Sequence, residues 1–89
     1  MKAVITVVGK DAVGILAKVS GKCSEYNVNV IEVSQTVLQE MFCMIMVCDI
    51  SKISVEFVRF CAEMETLGRE MGMQIHTMHE DIFESMHHI

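Results

Sequence analysis

The chain has 89 residues, 52% of them apolar and 21% charged, with no proline, five glycines and a net charge of -5. That length makes one domain, and the apolar content excludes intrinsic disorder. The acidic balance argues against nucleic acid or an anionic membrane as partner, since both need a basic footprint.

The segment Ala3–Val8 (AVITVV) is short and β-branched, which predicts a strand, and GKDAVG follows as a turn. From Ala12 to about Tyr26, Ile15, Leu16, Val19, Cys23 and Tyr26 recur at spacings of three and four, the pattern of an amphipathic helix. Asp11 stands at its expected N-cap and Asn27 closes it. Val28–Leu38 alternates, with Ile31, Val33 and Val37 toward one side and Glu32, Ser34 and Thr36 toward the other, which predicts a half-buried strand. Gln39 and Glu40 form a two-residue hairpin turn without the Asn-Gly signal. Met41–Ile50 is apolar at both parities and predicts a central strand.

Ser51–Ser54 is a loop, and Ser54 is placed to cap a second helix running to about Met71. Phe57, Phe60, Cys61, Met64, Leu67, Gly68 and Met71 lie on its apolar stripe, and Gly72 ends it. Met73–His79 predicts the last strand. Residues 81–89 form a short helical tail, with Ile82, Phe83, Met86 and Ile89 along one side.

The order βαββαβ with right-handed crossovers puts both helices on one face of a four-stranded antiparallel sheet. This is an α+β ferredoxin-like sandwich, with the first and third strands central. The expected division is a domain over residues 1–80 and a C-terminal tail over 81–89. The helices cover one face only, yet the central strands are apolar on both. Something must cover the second face, the tail or another subunit or both, and a homodimer or higher oligomer is predicted on this ground.

Several chemistries are poorly served. An RNA-binding sheet needs aromatic residues on its central strands, and only Phe42 is available. A phosphate-binding first loop needs an arginine, and the two arginines are Arg59 and Arg69. The four cysteines form no C-x-x-C pair and read as reduced core residues. His76 and His79 fall on opposite faces of their strand, and His87 and His88 splay apart on a helix. No catalytic residue, metal ligand or cofactor is therefore assigned, and the chain is not expected to be an enzyme. No apolar run approaches the ~20 residues of a membrane span and no leader is evident, so a cytoplasmic location is expected.

The first loop carries the most distinctive pattern. In GKDAVGI, Asp11 precedes the helix and Gly14 sits in its first turn. The open amides at such a helix start suit a carboxylate, and a glycine there admits close approach. A simple cap at Asp11 and a close-packing role for Gly14 explain the same residues.

ITVVGKD, GKDAVGILAKVS, and VNVIEVSQTVL followed by FCMIMVCDI together resemble the ACT domain over about residues 2–80. The likeness is to stand-alone single-ACT-domain proteins of prokaryotes, near the glycine-cleavage-repressor type. The resemblance implies a non-catalytic sensor that pairs side by side through its first helix and second strand. It implies a small ligand, most often an amino acid, held between the first loop of one subunit and its neighbour. By position, Asp11 matches the loop residue that holds an amino group, Val13, Gly14 and Ile15 match the loop backbone, and Asn29 matches a polar residue facing the ligand. Val13 stands where many members have proline, and Gly9 where some have histidine. The output would pass through another, regulated protein. The alternatives are a protein–protein interaction module without a small ligand and a metal-binding dimer.

Overall fold

The computed structural model describes residues 1–10 and 13–87, without the side chain of His87. Its elements are β1 (Lys2–Gly9), α1 (Ile15–Glu25), β2 (Asn29–Leu38), β3 (Met41–Asp49), α2 (Phe57–Met71), β4 (Gln74–His79) and α3 (Glu80–His87). The strands form one antiparallel sheet in the order β2-β3-β1-β4. This is the ferredoxin-like βαββαβ layout that the order of elements predicts.

The core lies between one sheet face and the two longer helices. Ala3, Ile5 and Val7 of β1 and Phe42, Met44, Met46 and Cys48 of β3 meet Ile15, Val19 and Cys23 of α1 and Phe60, Met64 and Leu67 of α2. Both helices end in the same way. At α1 the Val28 N–H donates to the Cys23 carbonyl at 2.8 Å, and Asn27 takes φ 60. At α2 the Met73 N–H donates to the Gly68 carbonyl at 2.8 Å, and Gly72 takes φ 69. These six-to-one bonds around a left-handed residue satisfy the last helical carbonyls.

The helix starts differ from expectation. The N-cap of α1 is Gly14, at φ 73 and with no side-chain capping bond, so the helix begins later than a cap at Asp11 requires. Asp11 itself lies outside the described residues. The N-cap of α2 is Glu56 rather than Ser54. The Ser54 amide instead donates to the Tyr26 carbonyl at 2.9 Å, which ties the β3–α2 loop to the end of α1.

Strand β2 departs most. A bulge between Val30 and Glu32 takes Ile31 out of register, so Ile31 does not continue the row of Val33 and Val37. The strand is also not half-buried in the single chain. Only Val30 is partly buried, and Val37 and Leu38 are 69% and 68% exposed. Helix α1 reaches the start of β2 and leaves its far half uncovered. The hairpin turn has Gln39 at φ 50 and Glu40 at φ 72, the two positive values that match the strand twist in a two-residue turn.

On the opposite sheet face Val4 is 1% exposed, although it stands outside the helix-side core. Thr6, His76 and Met78 of that face line a cavity with Phe83 and Met86 of α3. The tail therefore folds back under β1 and β4, while Ile45 of β3 and Leu38 of β2 stay exposed.

Gly68 sets how closely α2 lies on β4. A Cβ there would stand 2.9 Å from the Met73 carbonyl oxygen and 3.1 Å from the Ile75 nitrogen. Alanine gains about 0.5–1 kcal/mol of helix propensity, but overpacking against backbone costs roughly 1–3 kcal/mol. Gly68→Ala is expected to lower the urea unfolding midpoint. A midpoint at or above that of the parent chain would show that the two elements separate freely.

Candidate functional site

The sequence-derived site residues occupy two places. At one end of the sheet β1 finishes at Gly9, opposite Phe42 of β3. A Cβ on Gly9 would fall on the Sδ of Met73, so the thioether fills the space that a side chain there would take. The loop then reaches Val13, which is 85% exposed, and Gly14. A Cβ at Gly14 would meet nothing within 4 Å, but its φ is 73. Glycine is needed there for its backbone conformation, not for close packing. Ile15 is buried in the core, which leaves its backbone as the part available to a ligand.

Asn29 lies at the other end. It pairs with Asp49 of β3, which pairs with Lys2 of β1. The eight residues of β1 separate the two places, about 23 Å at the rise of a strand. A single chain therefore does not bring Val13, Gly14 and Ile15 together with Asn29.

Asn29 borders a cleft of about 550 Å³, between the end of α1, the start of β2 and the β3–α2 loop. Its polar wall includes Ser20, Ser24, Asn27, Asp49 and Lys52. The left-handed Asn27 turns its amide to the loop, and its Nδ2 donates to the Lys52 carbonyl at 2.9 Å. One Asp49 carboxylate oxygen accepts the Ser51 hydroxyl at 2.7 Å and the Ser51 N–H at 2.8 Å. These two bonds hold the Asp49 carboxyl below its ordinary pKa because they favour the charged form. The cleft thus offers a fixed anion, an ammonium group and several hydroxyl and amide groups, enough to orient a small polar molecule.

Reading the sequence finds Asn29 but misses Ser20, Ser24, Asp49, Ser51 and Lys52. One signal was available. Asp49-Ile50-Ser51 follows an apolar strand, and aspartate two residues before serine there marks a side-chain-closed turn.

The remaining reactive groups are placed for structure. Cys23 and Cys48 are buried in the core with free thiols. Their shared hydrogen bond and burial push the Cys48 thiol up, away from thiolate chemistry. His76 is exposed, while His79 packs its ring 4.3 Å from that of Phe57 on the helix side. Among the described residues no three histidine, cysteine or acidic groups gather at metal-binding distance, and no helix is long and apolar enough to cross a membrane.

Because the folded-state pKa of Asp49 is depressed, its stabilising contribution is present above the ordinary carboxylate pKa of about 3.9 and is lost as pH falls through the folded value. Ser51→Ala is expected to raise the Asp49 pKa toward that ordinary value in a carboxyl-detected NMR titration. An unchanged midpoint would show that Ser51 does not hold the carboxylate.

The model of the ACT domain matches residues 2–78. A UPF0237 protein of Listeria monocytogenes is 48% identical over 87 residues, covering 98% of each chain. Among solved structures, an ACT domain protein from Streptococcus pneumoniae superposes with a TM-score of 0.82 at 44% identity, over 94% of both chains. A putative glycine cleavage system transcriptional repressor shares the fold with a TM-score of 0.77 at 12% identity, over 85% of this chain and 44% of its own. The chain belongs to the ACT domain family.

Proposed function

We propose that the chain is a non-catalytic regulatory module that pairs through α1 and β2 and binds an amino acid at the subunit interface. The observation that carries this reading is the separation of the loop from Asn29. A two-fold partner whose β2 runs antiparallel would bring the loop of one subunit to the Asn29 cleft of the other.

Two features support the pairing. Strand β2 is a ten-residue edge strand with no proline and exposed apolar side chains. Long, unguarded edges of this kind invite another strand. Beside it, α1 exposes Ala17, Gly21 and Ser24, which share a helix face. A Cβ at Gly21 would meet nothing within 4 Å, so the chain's own packing does not require glycine there. Glycine costs a helix about 1 kcal/mol relative to alanine, and close approach of a second α1 would account for it.

In this reading the amides around Gly14 and Ile15 hold the ligand carboxylate, Val13 borders it, and Asp11 holds the ammonium group. Asn29 and its cleft come from the neighbouring subunit. The ligand favours one subunit arrangement to the extent of its differential affinity, and a second, regulated protein reads that arrangement in the cytoplasm. Residues 1–80 form the sensing unit and residues 81–89 a tail. One observation favours the module without a small ligand: α3 leaves Ile82 and Met86 exposed, a surface a partner protein would bury.

Sedimentation equilibrium is expected to give twice the 10.0 kDa chain mass. Gly21→Glu should yield a monomer with an unchanged circular dichroism spectrum. A parent chain that sediments as a monomer at high micromolar concentration removes the interface. In calorimetric titration with the twenty amino acids, Asp11→Ala should weaken binding about 10–100-fold, the worth of a charged hydrogen bond. Heat that is undiminished in the variant would return Asp11 to a purely structural role. Partner capture that is lost on removing residues 81–89, with no heat from any amino acid, would favour the module.

A further inference from the structure

We infer that the cleft between α3 and the sheet face away from α1 and α2 binds a small organic amine with an apolar body. The site lies within one chain, so it does not rest on the dimer proposed above.

Residues that pair directly across two strands share a sheet face. Thr6 pairs with His76 and Val4 with Met78, so these four stand together, while Ala3, Ile5, Val7 and Ile75 belong to the helix-side core. Helix α3 follows β4 without a connecting loop and turns back across the face of Thr6 and His76. Its Phe83 and Met86 line a space of about 620 Å³ with Thr6, His76 and Met78, and Thr77 and Glu65 of α2 border the same space. A tail helix docked for stability alone would bury its apolar stripe, and packed interiors leave few voids larger than a water molecule. Here Ile82 stays exposed and Met86 is 70% exposed. The helix is held off the sheet rather than packed into it.

The lining divides by chemistry. Met78, Phe83 and Met86 offer an apolar surface, and methionine adapts its shape to what it meets. Glu65 supplies a carboxylate, and among the described residues that line the space none is a lysine or an arginine. Helix α3 carries Glu80, Asp81 and Glu84 beside it. The Cys61 thiol, which donates to the Thr77 carbonyl at 3.5 Å, is pushed up by burial and then by Glu65, so the Glu65 charge is felt at this edge of the sheet. A carboxylate or phosphate would lose water here without gaining a counter-charge. An ammonium group would meet Glu65 in a charge-assisted hydrogen bond, and an apolar body would give Met86 the burial it lacks. The space lies within the usual range for small-molecule sites, roughly 300–1,000 Å³.

The test is titration of the full chain with 2-phenylethylamine, 2-phenylethanol and phenylacetate, which share one apolar body, read by calorimetry and by the methionine methyl resonances. The amine is expected to bind at least about 10-fold more tightly than either of the others, the lower worth of a charged hydrogen bond, and to shift the Met78 and Met86 methyls but not that of Met44 in the core. Glu65→Gln, at an exposed position, should bring the amine down to the affinity of the alcohol. Met86→Ala should weaken the amine about 3-fold or more by removing apolar contact. Because the cleft belongs to one chain, Gly21→Glu should bind the amine as the parent chain does. Phenylacetate binding as tightly as the amine, an affinity unchanged in Glu65→Gln, or an amine that moves neither methyl at millimolar concentration overturns the proposal and leaves the interface reading standing. A monomeric parent chain that still binds the amine removes the interface reading alone.

Discussion

The central strands β1 and β3 carry apolar side chains on both faces, and the rest of the molecule is arranged to cover them. The two longer helices close one face with Ile15, Val19, Cys23, Phe60, Met64 and Leu67. The tail helix closes part of the other, so that Val4 is as well buried as its neighbours on the helix side. Small domains bury a limited share of their surface. Coverage runs out at β2. Its start lies beneath α1, and among the described residues nothing covers its far half. The geometry that completes the core at β1 is the geometry that leaves an open edge at β2.

Register converts that edge into a functional constraint. The pairing of Gly9 with Phe42 and of Lys2 with Asp49 places the loop after β1 and the cleft at Asn29 at opposite ends of the sheet. No adjustment of side chains joins them, because the strands between are paired and their side chains buried. Glycine stands at both ends of the loop, Gly14 at a positive φ and Gly9 with the Met73 side chain in the space a Cβ would take. A larger residue at position 9 needs Met73 to move.

Much of the fold was legible in the sequence because burial leaves a period. Ile15, Val19 and Cys23, and likewise Phe60, Met64 and Leu67, mark their helices by spacing, and Gly72 marks an end by chemistry. Errors fell where one residue changes geometry without changing pattern. The bulge at Ile31 follows Val30 directly, and the break it makes in the alternation is masked because Ile31, Val33 and Val37 still read as one continuous row. The start of α1 is set by the backbone of Gly14 rather than by a capping side chain, and an aspartate three residues earlier looks like the cap. The cleft was mostly illegible for a different reason. Ser20 and Ser24, Asn29, Asp49 and Lys52 come from a helix, two strands and a loop, and each group alone reads as a solvated surface. Only the register brings them to one place.

A site divided between two subunits also dictates how a signal leaves it. If the loop and the cleft meet only across the interface, the ligand binds the dimer and not the separate chains. Its binding energy then adds to association by mass action, by an amount that grows with the logarithm of ligand concentration over the dissociation constant. Occupancy and subunit arrangement become one equilibrium viewed from two sides, and reciprocity requires that whatever stabilises the paired state also tightens the ligand. Among the described residues, hydrogen bonds hold both the hairpin and the cleft. The β2 hairpin is tightly paired to β3 and the cleft loop is pinned by the Ser54–Tyr26 and Asn27–Lys52 hydrogen bonds. If the chains pair as proposed, what is left free to change is the seam between them, beside the exposed apolar side chains of β2 and α3.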